Sequence, residues 1–191
     1  MVSHIYLFRH GMTKDNTNGV FSGWRDSPLT KRGRDDAKII ALRLKDKKIH
    51  IAYQSGLVRS KDTLKEVLKF HPECKIIITD NKIIERNYGK LQGLTHYKYI
   101  SKTSPKKYDS FHRGYYKKPL KGESIKDVEK RVNKFLKEMF KTVKGRNVNV
   151  AISAHGNSMR PIRKYFEKLS TKQMMKVESA FDNFYEYIVH S

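Results

Sequence analysis

Short apolar runs alternate along the chain with stretches in which apolar residues recur every three or four positions. His4 to Phe8 is apolar and stops abruptly at Arg9-His10-Gly11, which predicts a short buried strand. His50 to Gln54, Ile76 to Ile78, Val148 to Ile152 and Phe184 to Val189 read as four more strands. Between them, Ala37, Ile40, Ala41 and Leu44 follow a Thr30 cap at helical spacing, and Leu64, Val67 and Leu68 mark a second helix. The clearest helix opens at Ser124, carries Ile125, Val128, Val132, Phe135, Leu136, Met139 and Val143, and ends by Gly145. Residues 157–167 also look helical. Residues 11–28 are polar and punctuated by Gly19, Gly23 and Pro28, so they predict a long loop; residues 87–122 read as irregular or inserted. Strands alternating with helices imply an α/β fold, a mostly parallel sheet covered on both faces. No repeat or linker divides the 191 residues, so one domain is expected across 1–191.

Charge is the outlier of the composition. Lys and Arg number 41 against 19 Asp and Glu, a formal +22. Such a surplus suits nucleic acid, an anionic membrane or small anions, and it equally describes a solvated lysine-rich surface. It is densest between Lys102 and Lys121, where seven basic residues face Asp109 alone, interleaved with Tyr108, Phe111, Tyr115 and Tyr116. That stretch fits single-stranded nucleic acid or a lid over a phosphorylated substrate. One cysteine excludes a disulfide scaffold and a multi-cysteine zinc site, and Cys74 reads as a small semi-buried thiol. The first apolar run breaks too early for a signal peptide, and none approaches the roughly 18–20 residues of a membrane span. The expectation is a cytoplasmic protein with no membrane association.

Candidate chemistry sits at two strand ends. His10 and His155 each follow a predicted strand and precede a glycine, and ligands of open α/β sheets bind outside the carboxyl ends of strands. Arg9 adds a guanidinium, while Gly156 and the helix start at Asn157 or Ser158 offer close backbone approach and free N–H groups. Two imidazoles and an arginine around one point suit a phosphoryl group. A metal is the competing occupant, but two histidines without clustered carboxylates or cysteines are incomplete ligation.

These residues belong to a larger ordered set. Arg9-His10-Gly11 with Asn16, the run Phe21 to Thr30 (FSGWRDSPLT) and Gly33 resemble the N-terminal signature of the histidine phosphatase superfamily, and more narrowly its bisphosphoglycerate-dependent phosphoglycerate mutase branch. Ser55 to Arg59 (SGLVR), Glu85 to Leu94 (ERNYGKLQGL), Gly122-Glu123-Ser124 and Ala154 to Arg160 (AHGNSMR) are similar to its later motifs, in the same order. The resemblance implies a three-layer α/β/α, phosphoglycerate mutase-like fold. It implies His10 as nucleophile through a phosphohistidine, Arg9, Arg59 and His155 as phosphoryl ligands, and Glu85 as general acid and base. Asn16, Ser22, Gly23 and Asn157 would hold the substrate's anionic groups, with Arg86, Tyr88 and Arg113 on the remainder; Arg160 would support its helix. No metal or permanent cofactor is implied, only 2,3-bisphosphoglycerate as a primer if the enzyme is a mutase. The partner would be a small anionic phosphorylated substrate, and self-association stays open.

The resemblance leaves the outcome of the transfer open. Interconversion of 2- and 3-phosphoglycerate is the first reading, supported by Trp24 and by the ERNYGKLQGL and AHGNSMR segments. A phosphomonoesterase is the runner-up, because Met12 replaces an acidic residue, His96 a lysine and His112 the first of two paired arginines, and the following segment is short. An inactive basic nucleic-acid-binding protein on the same fold is the remote alternative.

Overall fold

The computed structural model describes residues 2–112 and 114–190. Its centre is a five-stranded sheet built from β1 (Val2–Arg9), β2 (Ile51–Gln54), β3 (Ile76–Thr79), β4 (Val150–Ala154) and β5 (Phe184–His190), in the order β3-β2-β4-β1-β5. The first four are mutually parallel and β5 runs antiparallel on the β1 edge. All five lie where the apolar runs placed them, with β4 displaced two residues toward His155. Its burial explains the displacement: every residue from Val150 to Ala154 is enclosed, so the strand runs to the histidine itself.

Two apolar layers close the sheet. On one face α6 (Ile125–Val143) and α7 (Gly156–Phe166) pack Val128, Val132, Phe135, Met159 and Ile162 against Ile5, Leu7 and Ile152. On the other, α2 (Lys31–Leu44) and α3 (Val58–Val67) pack Ile40, Leu44, Leu64 and Val67 against Tyr6, Phe8 and Ala52. The helix starts were legible: the Thr30 hydroxyl accepts from the Gly33 amide, and Ser124 forms a reciprocal capping box with Asp127. Cys74 is buried, its thiol pushed up by that burial.

Two expectations are corrected. The 11–28 loop contains a helical turn, α1 (Lys14–Thr17), closed by a capping box between Thr13 and Asn16. The segment read as irregular holds α4 (His96–Lys102), capped by Thr95, and α5 (Pro105–His112), which opens on proline at its first position. These helices are held by tertiary contact: Phe111, Tyr99 and Tyr108 pack with Phe21 and Tyr88 in a third, aromatic cluster. A further short helix, α8 (Thr171–Lys176), follows Ser170.

Candidate active site

Strand register brings the two histidines together. Arg9 pairs with Ala154 across β1 and β4, and the His10 amide donates to the Ala154 carbonyl at 3.1 Å, so both chains leave the sheet side by side. The imidazole centroids lie 4.9 Å apart. On the far side of β4, Gln54 pairs with Ser153, which carries Ser55 to the next histidine: its hydroxyl lies 2.7 Å from His155 Nε2.

The two ring nitrogens of His10 have different partners. Its Nδ1 lies 2.8 Å from the Gly11 carbonyl, which can only accept, so Nδ1 carries the proton. Nε2 keeps its lone pair and accepts from Arg59 Nε at 3.3 Å. Burial, then the charges of Arg59 and Arg9, push the His10 imidazole well below its ordinary 6.5. His155 is shifted the same way by burial and by Arg59. Both rings are therefore neutral, and a neutral imidazole has the lone pair that a nucleophile needs.

The loop of residues 22–25 wraps over this pair because Arg59, almost fully buried, donates to the carbonyls of Gly23 at 2.7 Å and Arg25 at 2.8 Å. Gly23 sits at φ +54 with Gln92 against it, where a side chain would be strained and would collide. Gly11 and Gly33 allow a similarly close crossing of the β1 exit over the start of α2. Arg9 donates to the Ser179 carbonyl at 3.1 Å and lies 3.8 Å over the Phe181 ring.

Opposite His10, Glu85 is held at the cavity wall. Its carboxylate accepts from the amides of Arg86 at 2.6 Å and Asn157 at 3.2 Å. Its carbonyl accepts from Trp24 Nε1 at 2.7 Å and Arg131 Nη2 at 3.0 Å. The Asn157 side chain donates to the Tyr88 hydroxyl at 3.2 Å. The resulting cavity, about 220 Å³, is lined by Arg9, His10, Arg59 and Glu85, with Asn16, Ser22, Gly23, Tyr88 and Asn157 around them. Among the described residues, Arg9 Nε and Ser22 Oγ on this cavity are buried without a hydrogen-bond partner, and so is Nδ1 of His155, which is next to His10 but not one of the lining residues. Unpaired buried polar atoms are costly, and two of them on a cavity that Arg59 also lines fit an anion with several acceptor oxygens.

One sequence candidate lies elsewhere. Arg86 is fully buried off the cavity, donating to the carbonyls of Glu123 at 2.8 Å, Lys117 at 2.9 Å and Phe111 at 3.4 Å. It fastens the α5 end and the following segment, while Tyr88 and Asn157 line the cavity. Arg113 lies outside the described residues. Arg160, expected to support its own helix, instead donates to the Met174 and Met175 carbonyls at the end of α8 and lines the cavity. His96 on α4 and His112 on α5 line the cavity, their rings 5.7 Å apart, and burial lowers the His96 pKa. Sequence reasoning missed Trp24 and Arg131 as supports of Glu85, and the 177–179 segment as a wall, because their roles arise from contacts far along the chain. Among the described residues no group of three or more His, Cys, Asp or Glu could hold a metal, and no helix is long and apolar enough to cross a membrane.

A buried, neutral histidine at a strand end, ringed by arginines and faced by a carboxylate, is a phosphoryl-transfer geometry. The chain belongs to the histidine phosphatase superfamily (branch 1), which it matches over residues 5–188. It is similar to 2,3-bisphosphoglycerate-dependent phosphoglycerate mutase 2 of Gloeobacter violaceus, 33% identical across 91% of this chain and 80% of that one. Among solved structures it resembles Bacillus stearothermophilus YhfR, with TM-score 0.83 and 25% identity over 96% of this chain and 90% of that one. A mycobacterial glucosyl-3-phosphoglycerate phosphatase shares the fold, with TM-score 0.85 at 21% identity over 100% and 92% of the two chains.

Proposed function

We propose that this protein moves a phosphoryl group between the hydroxyls of a monophosphoglycerate through a phosphohistidine at His10, primed by 2,3-bisphosphoglycerate. The supporting observation is the placement of His10 Nε2 and the Glu85 carboxylate across one small, polar cavity whose unpaired donors match a phosphoryl group. His10 Nε2 bonds to phosphorus as the substrate P–O bond breaks, and Glu85 gives its proton to the departing alkoxide. Arg9, Arg59 and His155 Nδ1 neutralise and hold the equatorial oxygens. Glu85 then takes the proton of the returning hydroxyl as the phosphoryl leaves His10. The name of the Gloeobacter relative, and the size of the cavity, favour a three-carbon substrate.

Hydrolysis is the second reading. On the lid side His96 is held neutral by burial, so it adds no fixed positive charge to retain a substrate carboxylate or a bisphosphorylated intermediate. The mycobacterial neighbour is a phosphatase. Phosphorus NMR with 3-phosphoglycerate, with and without a trace of 2,3-bisphosphoglycerate, separates the two. Appearance of 2-phosphoglycerate only with the primer supports the mutase; inorganic phosphate without isomerisation refutes it in favour of a phosphatase.

A further inference from the structure

Charge on the outward face of α6 is segregated rather than mixed. Lys126, Lys130, Lys134, Lys137, Lys141 and Lys144, the last at the helix end, are all exposed. At about 100° per residue they fall within an arc of about 80°, opposite the buried Val128, Val132, Phe135 and Met139, and they run for about 27 Å. The three carboxylates of the helix are committed elsewhere. Asp127 closes the capping box with Ser124, Glu129 is buried against Lys164 and the Tyr115 hydroxyl, and Glu138 pairs with Lys82 at 2.9 Å. Among the described residues none of the six lysines forms an ion pair. A surplus of lysine does not by itself give this pattern: on α2 Lys38 pairs with Asp35 at 3.3 Å, and just after α3 Lys69 pairs with Glu66 at 2.7 Å.

Exposed rings flank the stripe. Tyr116, 74% exposed, lies 5.3 Å beneath Lys126 Nζ, and Tyr165, 54% exposed, packs at 5.1 Å beside Phe140 toward the other end of α6. Other rings of the basic 102–121 stretch are spent, since Tyr108 and Phe111 pack around Phe21. We propose that this face binds single-stranded nucleic acid, with the lysines along the backbone phosphates and the two tyrosines as platforms for bases. Cations repeated about every 5 Å along one line, with aromatic rings beside them, suit a flexible polyanion whose bases are free to stack. A duplex keeps its bases stacked on one another and has no use for the rings. A membrane fits less well, because α6 turns its apolar residues inward and has none on the lysine arc to enter an acyl boundary. None of the six lysines and neither tyrosine lines the catalytic cavity, so a bound strand leaves phosphoryl transfer free to proceed. The proposal is independent of the reaction assigned to that cavity.

The test is fluorescence anisotropy of a labelled oligouridylate of about twelve nucleotides with the full chain. Six contacted phosphates predict a log–log salt slope of about −4, a loss of affinity of about 300-fold between about 50 and 200 mM salt. The triple variant Lys130→Gln/Lys137→Gln/Lys141→Gln should reduce that slope by about 2 and weaken binding about 100-fold at about 100 mM salt. Tyr116→Ala and Tyr165→Ala should each weaken binding about tenfold with the slope unchanged. The triple variant should melt and label His10 as the wild type does, because its three positions are exposed and off the cavity. Absence of binding at the lowest salt, or equal affinity of the wild type and the triple variant, would overturn the proposal. Equal affinity for a duplex of the same length would overturn the single-strand reading. So would tighter binding to phosphatidylserine vesicles with the tyrosine variants unaffected, which would assign the face to a membrane.

Discussion

Acidification should unfold this protein through its own active site. His10 and His155 are both enclosed beside Arg59 and Arg9, and both imidazoles are held well below 6.5. The unfolded chain has neither burial nor the fixed arginine neighbours, so there each histidine protonates at about 6.5. Below that pH the unfolded state binds more protons than the folded state, and stability must fall as pH falls. The contribution is fully present above 6.5 and is lost progressively beneath it, until the folded-state value is reached. One pH unit below 6.5, an unfolded histidine is protonated about ten to one, which favours unfolding by about 1.4 kcal/mol per histidine. Against a total of about 5–15 kcal/mol for a domain, the pair is a considerable fraction. The assay is urea unfolding of the wild type and His155→Gln at pH 7.5 and 5.5, in buffers free of phosphate and sulfate, since a bound anion would stabilise the folded state. Glutamine does not titrate, so the stability difference between the two proteins should shift by about 1.4 kcal/mol in the variant's favour at the lower pH. Parallel loss of stability in both would refute the claim that His155 is held neutral by its surroundings.

Further outcomes follow from the same geometry. His10→Ala should abolish turnover and covalent labelling by radiolabelled phosphoglycerate; label retained on another residue would displace His10 as nucleophile. Glu85→Gln should slow transfer from an alkyl phosphate by about 10²–10⁴-fold and from an aryl phosphate far less, because phenolates leave without a proton; equal losses would remove Glu85 as the acid. Arg86→Met leaves three buried carbonyl contacts unmade. It should cost about 3 kcal/mol, lowering the melting temperature by roughly 6–12 °C, and an unchanged melt would contradict its fastening role. Arg59→Lys cannot reproduce the fork to Gly23, Arg25 and His10, so it should lower kcat/KM by about 10²-fold and loosen the 22–25 loop toward proteolysis; a fully active, protease-resistant variant would show that the fork is dispensable.

Much of this molecule could be read from its residues because local physics specifies it. Apolar period and length distinguish the strands from α2 and α6, and Thr30 and Ser124 mark helix starts by a hydrogen bond to an amide three residues away. His10 and His155 declared themselves by following strands and preceding glycines, which places them at the ligand-binding end of a parallel sheet without coordinates. The tertiary structure alone decided what depends on register and on distant packing. That β1 lies beside β4 with Arg9 opposite Ala154 turns two strand-end histidines into one site. That Arg86 is spent on three carbonyls, and that Trp24 and Arg131 hold Glu85, arises from contacts between segments tens of residues apart. The helices α4 and α5 are too short to stand on propensity and form against Phe21 and Tyr88. A sequence specifies directly what a residue does to its neighbours within a turn or a strand; which surfaces then meet is settled by the packing of the whole chain.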